Sequence, residues 1–181
     1  MAKMKDRAIM LAEDYRKKHP EASWEESMGY MCKVMKKLPT KNYAFIDGSF
    51  NPSTKVYGCG GFLIDHLGKK HIIQKNGNDP GMAKMRNVAG EILGSMMAVE
   101  LAQKLGMKKL TIFHDYEGVA AWVLGRWKCK KPETRRYAMV MWKAMDAGLR
   151  IYFNHVKGHS GNWGNDEADQ LAKLAVGLEV K

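Results

Sequence analysis

Apolar positions change period along this chain. Over residues 3–38 they recur at helical spacing: Met4, Ala8, Leu11 and Tyr15 share one face, and His19-Pro20 ends that run. Ser23 opens a second run, with Glu26 three residues on as a capping box. Trp24, Met28, Met31, Met35 and Leu38 form one apolar stripe, closed by Pro39. From Lys41 the grammar shifts to strands. Tyr43-Ala44-Phe45-Ile46 reads as a buried strand ending at Asp47-Gly48-Ser49, followed by a turn through Asn51-Pro52. Residues 56–65 and 69–75 read as two further strands joined at His66-Leu67-Gly68. Residues 76–81 are polar and read as a loop, and a long helix is predicted over 87–105, stopped by Gly106. A short strand over 110–114 ends at Asp115, helical patterns follow at 117–125 and 134–147, and 150–155 is a last strand. A glycine-rich loop over 157–164 leads into a final helix over 165–176. Three meander strands followed by βαβ units imply an α/β domain over residues 41–181, a mixed sheet covered by helices. Residues 1–40 are then a helical extension.

Composition narrows the partners. The net charge is +11 over 181 residues, so a polyanion is the natural ligand. Cys32, Cys59 and Cys129 are odd in number and widely spaced, with no CxxC pair. This predicts a reducing compartment, no disulfide frame and no zinc site. Nothing resembles a signal peptide, and the longest apolar run falls far short of the ~20 residues of a membrane span. The expectation is a cytoplasmic protein that engages no membrane.

Four carboxylates carry the chemistry. Asp47 and Asp115 are each expected at the C-terminal end of an apolar strand, where α/β sheets gather their sites. Glu91 lies early in the long helix, on a face with Gly94, Ser95 and Ala98, small residues that let the helix approach the sheet. Asp169 lies one turn into the last helix, three residues after Asp166 and four before Lys173. Converging carboxylates repel unless cations neutralise them. Hard oxygen ligands select Mg²⁺ or Mn²⁺, and two such ions ~4 Å apart serve an in-line phosphoryl displacement. His159, in the loop Lys157-Gly158-His159-Ser160-Gly161, is placed to relay a proton or help expel product.

These stretches resemble a known family. Tyr43-Ala44-Phe45-Ile46-Asp47-Gly48-Ser49, Asn87-Val88-Ala89-Gly90-Glu91, Phe113-His114-Asp115-Tyr116, Val156-Lys157-Gly158-His159 and Asn165-Asp166-Glu167-Ala168-Asp169 are similar to type 1 ribonuclease H. The likeness covers residues 42–177. It implies a five-stranded mixed sheet in order 3-2-1-4-5 and hydrolysis of the RNA strand of an RNA–DNA hybrid, leaving 5′-phosphate and 3′-hydroxyl ends. It implies that Asp47, Glu91, Asp115 and Asp169 hold two Mg²⁺ ions, with Mn²⁺ as a substitute. His159 takes the place of the family's flexible-loop histidine. Asn87 takes that of a reader of the RNA 2′-hydroxyl, with Gly90 beside it. Ser49, Asn51, Tyr116, Arg126, Lys128 and Asn165 complete the expected substrate-binding set, on a protein expected to be monomeric.

The spacing of 44 positions from Asp115 to His159 is short for members with the basic handle helix. Arg126, Lys128, Lys130, Lys131, Arg135 and Arg136, interleaved with Trp127, are the expected substitute clamp on the DNA-strand phosphates. The pattern of Tyr116-Glu117-Gly118, Trp122, Gly125, Trp127 and Lys128 resembles the branch often fused to an N-terminal hybrid-binding module. The N-terminus lacks that module's glycine and aromatic pattern. The stripe on 24–38 is expected to pack on another helix or the catalytic domain, with duplex or partner binding the alternative, since Lys33, Lys36 and Lys37 lie beside it. Trp122 and Trp142 are expected in the core, and Trp163 either touches substrate or pins its loop. Two rival readings stand beside the main one: a junction resolvase or integrase-like nuclease on the same fold, and a hybrid-binding module that does not cut.

Overall fold

The computed structural model describes residues 15–23, 26, 39–158 and 162–180. Contacts divide the chain into Met1–Thr40 and Lys41–Lys181. In the first unit, residues 15–18 form a helical turn, closed by the His19 amide donating to the Tyr15 carbonyl at 2.9 Å. The expected capping box is reciprocal: Ser23 N donates to Glu26 Oε2 at 2.8 Å, and Glu26 N donates to Ser23 Oγ at 3.1 Å. The stripe of Trp24, Met28, Met31, Met35 and Leu38 lies outside the described residues.

The second unit runs β1 (Tyr43–Asn51), β2 (Val56–Ile64), β3 (Lys70–Gly77), α1 (Pro80–Ala83), α2 (Asn87–Lys104), β4 (Lys109–His114), α3 (Gly118–Val123), α4 (Pro132–Asp146), β5 (Arg150–His155) and α5 (Trp163–Ala175). The sheet order is β3-β2-β1-β4-β5, as expected. β1 pairs antiparallel with β2, and β2 with β3; β1–β4 and β4–β5 are parallel. The parallel pairing of β1 with β4 spans only Tyr43↔Thr111 to Phe45↔Phe113. Beyond it β1 continues on β2 alone, as far as Asn51↔Val56.

Period-2 alternation splits β1 between two layers. Ile46 and Gly48 face α2, where Gly94 lies against Ile46 and Glu91 against Gly48. Tyr43 and Phe45 face the α5 side, in an aromatic cluster with Phe62, Phe113 and Trp163. Phe45 stacks on Phe113 at 4.5 Å and Trp163 on Phe62 at 5.5 Å. Two glycines permit the close layering. A Cβ on Gly60 would lie 1.9 Å from Ala172 N of α5, and one on Gly90 would lie 2.0 Å from the Gly58 carbonyl oxygen.

Three boundaries differ from expectation. β1 runs four residues past Asp47, because Gly48 to Asn51 find partners in β2. Residues expected as loop hold the end of β3 and α1, whose N-cap Asp79 accepts from Met82 N at 2.9 Å with Pro80 as the first helical residue. α5 starts at Trp163, because Asn162 Oδ1 caps it by accepting from Gly164 N and Asn165 N. Trp142 is 44% exposed rather than core, its indole N–H donating to the Val123 carbonyl at 2.9 Å.

Candidate active site

Asp47 lies in mid-strand, just past the point where β4 parts from β1. Asp115 lies one residue after β4 ends. The two strands therefore open a fork, and α2 brings Glu91 across it. Single oxygens of Asp47, Glu91 and Asp115 all lie within 4.8 Å of one another. The backbone fixes this convergence. Gly48 N donates to Asp47 Oδ1 at 2.7 Å and to Glu91 Oε1 at 3.2 Å. Asn165 Nδ2, from α5, donates to Asp115 Oδ2 at 3.2 Å. His155 Nε2 donates to the Asp115 carbonyl at 2.9 Å, and the Val156 amide to the His114 carbonyl at 2.9 Å, closing the end of β4 onto β5.

The electrostatics are those of crowded acids in a low-dielectric setting. Asp47 is 9% exposed, and burial pushes its carboxyl up to about 6, a rise that the neighbouring Asp115 charge reinforces and a hydrogen bond with Glu91 opposes. Glu91 is 3% exposed and held well above the usual carboxylate range, first by burial and then by the Asp47 charge. Among the described residues no Lys or Arg pairs with any of the three. His114, buried directly before Asp115, has its imidazole pushed down to about 4 by burial, so it is neutral near pH 7 and brings no compensating charge. Glu91 Oε2 is buried with no hydrogen-bond partner. Three facing carboxylates, one with an orphaned oxygen and none with a protein counter-charge, fit a hard divalent cation.

The remaining expected residues separate into groups. Asp169 stands outside the trio; its Oδ2 is bound by Lys173 Nζ at 2.7 Å, one turn along α5, although its charge still contributes to raising Asp47. His159 lies outside the described residues. The chain leading to it does reach the site, since a Cβ on Gly158 would begin 2.8 Å from Asp115 Oδ2. Asn87 is exposed at the start of α2, and Ser49 is half-buried on β1. Two expected substrate contacts are buried. Asn51 is buried, its Nδ2 donating to the Val176 carbonyl at 3.0 Å while Oδ1 accepts from Ser53 N and Thr54 N, so it builds the β1–β2 turn. Asn165, 3% exposed, orients Asp115 instead of meeting solvent. Gly90 is buried between β1 and β2, where its lack of a side chain matters for packing.

The basic segment forms one wall of a cleft of about 330 Å³, lined by Lys84, Tyr116, Trp122, Lys128, Lys130 and Lys131 among others. Tyr116 meets Trp122 and Trp127 ring to ring at 5.8 and 6.1 Å. Arg126 pairs with Glu117 at 3.6 Å. Arg135 is spent on shape, donating to the Cys129 and Lys130 carbonyls, both at 3.1 Å. Trp163 lies at the start of α5 on the aromatic cluster and pins it. Lys84, which lines the same cleft, and Arg86 precede α2 and were not singled out in the sequence. Arg86 holds a left-handed φ of 55° with its guanidinium 5.7 Å from the Phe50 ring.

Comparison with known proteins agrees with this geometry. The family model for RNase H matches residues 39–177. Ribonuclease H of Shewanella sp. strain MR-4 is 32% identical over 145 residues, 74% of this chain and 86% of that protein. Human ribonuclease H1 is 32% identical over 100 residues, 50% of this chain but 35% of the human protein. Among solved structures, RNase H1 from the halophilic archaeon Halobacterium salinarum NRC-1 superimposes with a TM-score of 0.60 at 20% identity, covering 74% of this chain and 95% of that one. LC11-RNase H1, solved in complex with an RNA/DNA hybrid, gives 0.58 at 15% identity, covering 74% and 97%. The chain belongs to the RNase H family. It is therefore a ribonuclease H-type hydrolase, a nuclease.

Proposed function

We propose that the second unit, as the catalytic domain, cuts the RNA strand of RNA–DNA hybrids at the Asp47–Glu91–Asp115 fork, with two divalent ions, Mg²⁺ or Mn²⁺, and leaves 5′-phosphate and 3′-hydroxyl ends. The observation that carries this is the convergence of three carboxylates within 4.8 Å, without a cationic partner among the described residues. Bound divalent ions would lower the pKa of the attacking water and neutralise charge on the leaving oxygen. The chain's own part is positioning. Asp47, Glu91 and Asp115 would hold the ions, with Asp169 as a further ligand once freed of Lys173. Asn165 and His155 fix Asp115 from two sides. His159 relays a proton or helps product leave. Asn87 reads a 2′-hydroxyl from the tip of α2, and Ser49 on β1 is a further contact to the substrate. Arg126, Lys128, Lys130 and Lys131 grip the phosphates of the DNA strand beside Tyr116.

Among the described residues no helix is long and apolar enough to cross a membrane. The enzyme is proposed to act as a cytoplasmic monomer, with residues 1–40 as a helical extension. The test is a substrate panel in Mg²⁺: end-labelled RNA–DNA hybrid, RNA duplex and DNA duplex. The reading predicts cleavage of the hybrid's RNA strand alone, with 3′-hydroxyl products that a polymerase extends. Cleavage of the DNA duplex would replace the substrate while keeping the site.

A further inference from the structure

A row of like charges crosses the far end of the sheet. Lys109 opens β4 and Arg150 opens β5, and the two are register partners. Lys108 precedes Lys109, and its carbonyl accepts from Arg150 N at 3.1 Å. Lys41 lies two residues before Tyr43, which pairs with Thr111, so it stands at the same end of the sheet, just outside β1, where Asn42 turns the backbone with a φ of 61°. Lys69 adds a cation in the β2–β3 turn, at the same end through the pairing Tyr43↔Ile64. All five are exposed. Among the described residues none of the five forms an ion pair.

The nearby acids are occupied or stand apart. Asp65 is closed on by Leu67 N, Lys69 N and His71, and Glu100 is paired with Lys104. Asp146, four residues before Arg150, reaches no cation within ion-pair distance among the described residues. Like charges placed directly opposite in a sheet destabilise it, so this arrangement gains from an external polyanion. With strands ~4.8 Å apart, Lys109 and Arg150 stand roughly 5 Å apart across the β4–β5 pair, with Lys108 and Lys41 flanking them at the same end of the sheet. A nucleic-acid duplex carries one charge per about 1.7 Å of axis and presents several phosphates over that length. The six residues of β4, from Lys109 to His114, put these cations roughly 20 Å from Asp115 and the catalytic fork.

We propose that this end of the sheet is a second nucleic-acid surface, which holds the phosphate backbone of a duplex segment other than the one at the carboxylates. Binding there is independent of sequence and lets one molecule bridge two segments. It keeps the enzyme near nucleic acid after a cut.

The experiment uses the full chain and the triple variant Lys108→Gln/Lys109→Gln/Arg150→Gln. Protein loaded on an immobilised hybrid in chelator is offered a labelled DNA duplex, and capture is followed against salt. Cleavage of a 12-base-pair hybrid in Mg²⁺ is measured in parallel. The proposal predicts that the unsubstituted chain captures the second duplex and that the variant captures it at least tenfold less. The salt slope of capture should fall by up to about 3 in the variant, with short-hybrid cleavage within twofold of the unsubstituted rate. Absence of capture by the unsubstituted chain, or equal capture by the variant, overturns it. So does an equal loss of short-hybrid cleavage, which would make these cations part of the first site. Capture needs no cleavage, so failure of the catalytic reading shows separately, in the Mg²⁺ arm alone.

Discussion

The side-chain amide of Asn165 donates to Asp115 Oδ2 across 3.2 Å, tying the first turn of α5 to the end of β4. Asn165 is buried, and its Oδ1 has no partner. One amide group thus holds the carboxylate that stands at the open end of the fork. Asn165→Ala removes that donor. By the usual effect of losing a metal ligand's supporting hydrogen bond, the Mg²⁺ needed for half-maximal cleavage should rise by about 10- to 100-fold. A Mg²⁺ titration of the cleavage rate checks this, with hybrid affinity in chelator expected to be unchanged.

The crowded carboxylates make metal-free stability depend on pH. Asp47 has its folded pKa raised from 3.8 to about 6, so the folded state binds the proton more tightly than the unfolded chain. This contribution favours folding at low pH and is lost as pH rises from about 4 through about 6, a change of about 3 kcal/mol. Glu91 shifts in the same direction. Asp65 works in the opposite sense, but its folded pKa of about 2 puts that loss below the window. His114, pushed from 6.5 down to about 4, opposes this, because its contribution grows as pH rises from about 4 through 6.5. The carboxylate effect is therefore read as a difference: in chelator, Glu91→Gln should lose less Tm, or gain more, between pH 5 and pH 8 than the unsubstituted chain. Mg²⁺ should raise Tm more at pH 8 than at pH 5. A calorimetric scan at the two pH values, with and without Mg²⁺, decides it.

Much of this site was legible in the chain, for reasons that the exceptions make clear. Periods marked the strands and helices, and the family resemblance of the motifs around Asp47, Glu91 and Asp115 implied the sheet order; of the four carboxylates expected to converge, three lie within 4.8 Å of one another and Asp169 stands apart. Asp47 was expected at a strand end because the apolar run from Tyr43 to Ile46 stops there. That β1 continues depends on its register with β2, which no local pattern reveals. Asn51 and Asn165 looked like polar residues available to a ligand. Only the packing of α5 on the sheet shows that both are buried and committed. Asp169 has the right spacing, but its i,i+4 partner Lys173 competes for the carboxylate.

That competition is itself testable. Lys173→Ala removes the ammonium 2.7 Å from Asp169 Oδ2. With Asp169 released toward the fork, cleavage should reach half its maximum at several-fold lower Mg²⁺. The stability change should stay within about 1 kcal/mol, since a partly exposed i,i+4 pair contributes little. An increase in the Mg²⁺ requirement would mean that Lys173 holds Asp169 in its working position.

Gly90 separates packing from ligation. A methyl group there would lie 2.0 Å from the Gly58 carbonyl oxygen and 2.6 Å from Gly48 Cα, and neither backbone can yield cheaply. Gly90→Ala should destabilise the domain by about 3 kcal/mol or more and push the neighbouring Glu91 off the fork. Denaturant unfolding and Mg²⁺ affinity should worsen together.

The cleft lysines should show themselves in salt dependence. Lys128→Gln and Lys130→Gln should each lower the slope of log affinity against log salt by about 1 wherever the lysine meets a phosphate. Cleavage at saturating hybrid should change less than twofold. Fluorescence anisotropy over a salt series gives the slope.

The most direct measurement compares the unsubstituted chain with Asp115→Asn on an RNA–DNA hybrid labelled on each strand in turn, in Mg²⁺ and in chelator. The metal-fork reading predicts Mg²⁺-dependent cuts in the RNA strand alone and a loss of at least 1000-fold in Asp115→Asn, about 4 kcal/mol of barrier, with hybrid binding kept. Cleavage that persists in chelator, or that survives in Asp115→Asn, would contradict it.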